Sequence, residues 1–255
     1  MIPNPIRKVL SSMRAQRVRA LLMGGQACVF YGAAEFSRDT DLAIVADAAN
    51  LARLRKALGE LQAEPIAIPP PALKFLRRGH AVHFRCHHPE APRMCVDVMS
   101  KMRGVDAFEK LWRRRTTIAL PDGTQCDLLS LPDLVLAKKT QRDKDWPMIR
   151  RLAEAHYFQN RRKPNPAQIR FWLKELRTPE ILMELVRRHP VACRRGLSTR
   201  PLLALAMAGK REELQRALQA EESAEREQDR QYWLPLKAEL EKLRPGFSRK
   251  AESGF

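Results

Sequence analysis

Apolar residues recur along the chain with two different periods, and the change between them divides it. Ile6, Val9, Leu10 and Met13 stand three or four apart, the spacing that lines one face of a helix, so a short helix is predicted within 6–19. Ala20-Leu21-Leu22-Met23 is a continuous apolar run stopped by Gly24-Gly25, which reads as a buried strand. A short helix over 26–31 and a loop containing Gly32 lead to a second strand over 41–45. Asp47 is placed to cap the next helix, 48–61, whose apolar stripe is Leu51, Leu54, Leu58 and Leu61.

Pro65, Pro69, Pro70 and Pro71 interrupt the pattern. Beyond them, residues 80–86 and 94–99 alternate and are predicted as antiparallel strands. Residues 117–128 form a second predicted hairpin, turning through Pro121-Asp122-Gly123. From Ser130 onward the period becomes helical. Ser130-Leu131-Pro132-Asp133 has the form of a capping box, and Asn165-Pro166, Thr178-Pro179 and Arg200-Pro201 place proline in the first turn of three more helices. Ile169, Trp172, Leu173 and Leu176 form one of their stripes. The expected fold class is α+β: a mixed sheet with flanking helices over residues 1–128, followed by an all-helical domain over 129–255.

Composition narrows the function classes. With 255 residues, 44% of them hydrophobic, the chain can bury a core, which excludes disorder as its main state. Its longer apolar runs, such as residues 202–208, fall far short of the roughly 18 residues a membrane span needs. Arg7, Lys8, Arg14, Arg17 and Arg19 are followed by no apolar segment of signal-peptide type, so no membrane partner and a cytoplasmic location are expected. The five cysteines are odd in number and never spaced C-x-x-C, which argues against a disulfide framework and a zinc ribbon. His80, His83, Cys86, His87, His88 and Cys95 do cluster. A strand followed by a polar hairpin accounts for them better than four converging zinc ligands.

Charge adds a possible partner. Lys and Arg number 47 against 29 Asp and Glu, a net +18. Between residues 150 and 211 there are fifteen bases and four acids, whereas from 212 to the end eight bases face ten acids. Such a surplus suits a phosphate backbone through counterion release. A solvated helical surface explains it equally well.

The candidate chemistry lies in Leu22-Met23-Gly24-Gly25 and, about fourteen residues on, Ser37-Arg38-Asp39-Thr40-Asp41. Residues i and i+2 of a strand share a face, so Asp39 and Asp41 can project together. Like charges that close repel, and a divalent cation between them resolves the conflict. With oxygen ligands only, Mg²⁺ or Mn²⁺ is favoured over zinc. Alone, D-x-D describes an aspartate pair on an exposed edge equally well. Two features add weight. Gly24-Gly25 would let backbone amides approach a phosphate, and Asp97 stands inside the apolar run Met94-Cys95-Val96-Asp97-Val98-Met99, where an unpaired charge is costly.

The order G-G, S-x-D-x-D and a later lone strand aspartate resembles the nucleotidyltransferase fold of the DNA polymerase beta superfamily. The resemblance covers roughly residues 20–150 and is nearest to the minimal and abortive-infection-type (AbiEii-like) nucleotidyltransferases, some of them toxins of toxin–antitoxin pairs. A helix carrying Lys138, Arg142 and Asp145 on one face is similar to a nucleotide-facing helix of those relatives. The resemblance implies a nucleotidyltransferase-type sheet, with Asp39, Asp41 and Asp97 as catalytic metal ligands. It implies nucleotide contacts at Gly24, Gly25, Ser37, Arg38, Lys138, Arg142 and Asp145. A nucleoside triphosphate would be substrate, Mg²⁺ or Mn²⁺ cofactor, RNA such as a tRNA end the acceptor held by 150–211, and an antitoxin protein a partner. Two other readings stay open: an RNA-binding or regulatory module with weak chemistry, and nucleotide transfer to a small molecule such as an antibiotic.

Other motifs are weaker. Neither G-x-x-x-x-G-K-S/T nor G-x-G-x-x-G occurs, and Ser11, Ser12 and Ser37 lack a recognisable histidine partner. Trp146, Trp172 and Trp233 are expected to serve core or interdomain packing rather than base stacking, and His156 and His189 to cap helix ends.

Overall fold

The computed structural model describes residues 4–120 and 123–252. The chain divides into two compact units: one takes in the chain up to Ala137 and again from Tyr232, and the other is Lys138–Gln231. The first unit therefore runs past the expected boundary at 128/129. Its last helix before the break, α6 (Leu131–Ala137), buries Leu131, Leu134 and Val135. Ser130 caps that helix through its hydroxyl, which accepts from Asp133 N at 3.4 Å and donates to Asp133 Oδ2 at 2.6 Å. Arg114 then grips the same carboxylate with two bonds of 2.5 and 2.7 Å. The change of period marks where helices begin, whereas the core ends later.

The first unit is built on seven strands among the described residues: β1 (Ala20–Met23), β2 (Asp39–Ile44), β3 (Glu64–Pro65), β4 (Val82–Arg85), β5 (Cys95–Met99), β6 (Thr116–Ala119) and β7 (Gln125–Leu128). Their order is β3-β4-β5-β2-β1-β7-β6. The sheet is mixed, since β1 with β7 and β2 with β5 run parallel and the remaining pairs antiparallel. β1 falls where the apolar run predicts it. β2 starts two residues earlier than predicted, at Asp39, because Asp39 and Thr40 pair with Cys95 and Val96, a partnership no local pattern reveals. The antiparallel hairpin of β6 and β7 is present, although Pro121 and Asp122 of its predicted turn lie outside the described residues.

One face of the central strands is apolar: Leu22, Leu42, Ile44, Val96 and Val98 are all buried. Thr40 points the same way and is 0% exposed. Around the sheet stand α1 (Asn4–Ala15), α2 (Gly24–Phe30) and α3 (Ala48–Glu60). Ile6, Val9, Leu10 and Met13 are the buried stripe of α1, as their spacing requires. Asp47 caps α3 by accepting from Asn50 N at 2.6 Å. Two helices of six residues each, α4 (Leu73–Arg78) and α5 (Phe108–Arg113), are too short to leave a readable stripe. The segment from Tyr232 onward belongs to the first unit. Its Glu239 accepts from Arg78 and lies 2.9 Å from His80 Nε2.

The second unit is helical: α7 (Asp145–Asn160), α8 (Pro166–Glu175), α9 (Pro179–Arg188), α10 (Pro190–Gly196), α11 (Leu203–Met207) and the part of α12 (Arg211–Glu252) that precedes Tyr232. Asn165 and Gln168 form a reciprocal capping box for α8, both bonds 2.9 Å. α9 starts at the predicted Pro179, but α11 starts two residues beyond Pro201. There Arg200 is drawn inward to donate to the Leu173 and Leu176 carbonyls and to Glu221. Trp172, Tyr157, Leu182, Leu185 and Leu214 centre the core. His156 is not a cap: it sits within α7, and its Nδ1 accepts from Trp172 Nε1 at 2.8 Å. Burial lowers its pKa and so favours the neutral acceptor.

Candidate active site

Four adjacent strands place His83, Asp97, Asp41 and Met23 in one row across the sheet, each the Cα partner of the next. Residues in such a row share a face, and neighbouring strands lie about 4.8 Å apart. The next row on the same face holds Arg85, Cys95 and Asp39. The three predicted carboxylates are therefore brought together on one face, opposite to the apolar one. Asp41 and Asp97 are half-buried and Asp39 is exposed.

Local sequence explains how these side chains are seated. Gly24 has φ +66°, and a Cβ there would lie 1.8 Å from Asp41 Oδ2 and 2.4 Å from its Cγ. A Cβ on Gly25 would lie 2.7 Å from Ser37 Oγ. What the glycine pair admits in this structure is the Asp41 carboxyl and the Ser37 side chain. Ser37 Oγ donates to the Asp39 carbonyl at 3.2 Å, so the Ser37 loop is tied to the head of β2. Arg38 is exposed, its guanidinium 5.9 Å from the ring of Phe36, which is itself 60% exposed.

Asp97 has a partner that nothing in the local sequence marks. His83 Nδ1 lies 2.8 Å from Asp97 Oδ1. That hydrogen bond raises the imidazole pKa against the opposing effect of burial, and the charges of Asp97 and Asp41 add to the rise. Only the pairing of β4 with β5 identifies His83, and only the same pairing puts Arg85 on this face. Of the other members of the His/Cys cluster, Cys95 stands in the next row on this face, whereas His80 goes to Glu239, His87 to within 3.8 Å of Glu64, and Cys86 into the interior.

Among the described residues, no three or more His, Cys, Asp or Glu side chains are arranged to hold a metal ion. The donor set nevertheless fits a hard divalent cation. Mg²⁺ is commonly bound by one or two carboxylates together with substrate phosphates and water, and needs no complete protein cage. Asp41 and Asp97, opposite each other with Asp39 beside them, make a set of that kind.

Lys138, Arg142 and Asp145 belong to the second unit, and they do not lie on one helix. α6 ends at Ala137 and α7 begins at Asp145, with turns between. The three still converge, because Asp145 accepts from Lys138 Nζ at 2.9 Å, Arg142 Nε at 2.8 Å and Thr140 Oγ1 at 2.6 Å. Thr140 and Arg142 are two apart and could not both face Asp145 from a single helix, which is why the helix breaks here. Asp145 is 0% exposed. Burial pushes its pKa up, but Lys138, Thr140 and Arg142 together outweigh that and hold it below the usual aspartate value. The Lys138 ammonium is thus neutralised within its own unit.

The basic surplus of this unit is displayed outward. Arg150, Arg151, Arg162, Lys163, Arg170, Lys174, Arg187, Arg194 and Arg195 are all exposed, and among the described residues none of them forms an ion pair. The four acids of the same stretch are engaged: Glu154 by Thr178, Glu175 by Lys139, Glu180 by Arg211, and Glu184 by Arg188. No protein-family model matches the chain, and no curated protein matches it either.

Proposed function

We propose that the chain is a metal-dependent nucleotidyltransferase that moves a nucleoside monophosphate from a nucleoside triphosphate to a hydroxyl acceptor. The observation that carries this reading is the row in which Asp41 faces Asp97, with Asp39 one pleat away on the same face. Asp39, Asp41 and Asp97 would hold the divalent cation, which when bound neutralises charge on the phosphates. Asp97 also serves as the acceptor of the proton from the attacking hydroxyl. That hydroxyl oxygen bonds to the α-phosphorus as the bond to the β-phosphate oxygen breaks, and pyrophosphate leaves. Gly24, Gly25, Ser37 and Arg38 border the carboxylates and line the place for the nucleotide. Most of the acceleration would come from positioning and charge neutralisation, as in other phosphoryl transfers.

The acceptor we favour is RNA. Nine exposed bases without ion pairs among the described residues, in a stretch whose four acids are engaged, leave positive charge that a phosphate backbone would neutralise. A second reading has its own support: with no assembled three-ligand group among the described residues, the same surface would serve an RNA-binding module with weak chemistry.

Incubation with Mg²⁺ and each α-labelled nucleoside triphosphate, together with total RNA, total protein or aminoglycosides, separates the cases. Label on RNA is the expected result. Label on an aminoglycoside would move the chain to small-molecule transfer. No label on any acceptor, with salt-dependent RNA binding retained, would reject the enzyme reading in favour of the module.

A further inference from the structure

His83 completes the central row beside Asp97. A carboxylate accepts hydrogen bonds, so the 2.8 Å contact is a donation from His83 Nδ1–H to Asp97 Oδ1. The two residues are Cα partners across antiparallel strands, which fixes their approach through the backbone and not through flexible reach. Both remain partly open to solvent, with side chains 37% and 29% exposed, so the bond adds little to folding. Its consequence falls on Asp97. Asp41 stands on the other side of Asp97 in the same row, and a carboxyl free to rotate would turn away from that like charge.

We infer that His83 is a positioning residue. By engaging Oδ1 it fixes the Asp97 carboxyl so that Oδ2 is presented beside Asp41, and it thereby sets the affinity of the carboxylate pair for a hard divalent cation. This rests on the metal reading given under Proposed function and adds a residue to it. Ligating carboxylates are themselves held by hydrogen bonds, and loss of such an outer partner weakens metal binding by about 10–100-fold.

The probe is Mn²⁺ alone, titrated into the full chain and followed by the electron paramagnetic resonance signal of the free ion. The parent is expected to bind, and Asp41→Asn to abolish binding. His83→Ala and His83→Phe, which remove the donor, should each weaken Mn²⁺ by about 10-fold or more. His83→Asn, whose Nδ2 stands where Nδ1 stood, should stay within about threefold. Melting temperatures recorded alongside should be alike for parent and variants, since the bond contributes little to folding. Binding by both donor-free variants at parent strength, or an asparagine variant as weak as they are, overturns the inference while leaving the metal reading intact. A parent that binds no Mn²⁺ in the absence of nucleotide overturns the inference, because the pair then has no affinity of its own for His83 to set. The metal reading, in which substrate phosphates complete the cation's ligands, is decided by the transfer assay.

Discussion

Asp41 and Asp97 are Cα partners across the parallel strands β2 and β5. Like charges directly opposite in a sheet are ordinarily destabilising, yet each of these has its own accommodation. Asp41 occupies the space that Gly24 leaves by having no Cβ, and Asp97 is bonded by His83. Asp41→Asn and Asp97→Asn keep side-chain volume while removing the charge a cation requires. Each is expected to reduce labelled nucleotide transfer by about 10²-fold or more and to leave RNA affinity within about twofold. Transfer retained by either variant would remove that residue from the metal site.

The same geometry separates two glycines that look alike in sequence. Gly24 and Gly32 both have φ in the left-handed region, +66° and +74°, but a Cβ on Gly32 meets nothing within 4 Å. Gly32→Ala therefore carries only the backbone cost, about 1–2 kcal/mol. Gly24→Ala adds a collision with the Asp41 carboxyl and should lose about 3 kcal/mol or more in total. Urea unfolding of the two variants measures the difference, and equal losses would mean that Asp41 moves aside freely. If Asp41 is displaced, transfer should fall in Gly24→Ala and persist in Gly32→Ala.

Much of this was legible in the sequence, and the parts that were not share a cause. β1 and the cap of α3 follow from local signals: an apolar run ended by glycines, and an aspartate three residues before an amide it can accept from. Asp97 could be named because charge inside an apolar strand is conspicuous, and Asp39 and Asp41 because their i, i+2 spacing follows the glycine pair. His83 stood out only as one member of a His/Cys cluster, since a histidine between Val82 and Phe84 fits the alternation of any half-buried strand, and its bond to Asp97 exists only through the register with β5. The expected helix through Lys138, Arg142 and Asp145 failed for a related reason. The spacing is helical, but the buried carboxylate gathers donors at 138, 140 and 142, and α12 supplies Asp229 to accept from Gln141 N at 2.8 Å. Tertiary demand on one carboxylate outweighed the local period.

Asp145 makes the stability of the second unit sensitive to acid. Its pKa is lower folded than unfolded, so it contributes stability that is fully present above the ordinary aspartate value, near 3.9. That contribution drains away as pH falls through 3.9 toward the lower folded value. Asp145→Asn leaves Lys138 buried without its counter-charge and should cost about 3 kcal/mol at pH 6. At pH 3 the gap between variant and parent should narrow, because the unfolded parent takes up a proton there that folded Asp145 resists, which costs the parent stability. Urea unfolding at both values tests this, and a gap that widens on acidification would mean the carboxylate is not held ionised by its neighbours.

Charge on the second unit yields a prediction that does not depend on the chemistry at the carboxylates. Arg194 and Arg195 lie in the last turn of α10, both exposed, and neither is in an ion pair among the described residues. If they neutralise phosphates, each removed contact reduces the steepness of log affinity against log salt by about 0.7 for single-stranded RNA. The double variant Arg194→Gln, Arg195→Gln should therefore bind RNA more weakly at 50 mM salt, show a slope smaller by about 1.4, and lose affinity to the same extent for unrelated sequences, because phosphate contacts carry no base information. Affinity lost with the slope unchanged would mean that the arginines act on something other than phosphate. An unchanged affinity would place the polyanion on a different part of the basic surface, with Arg162 and Lys163 beyond the end of α7 the next pair to replace.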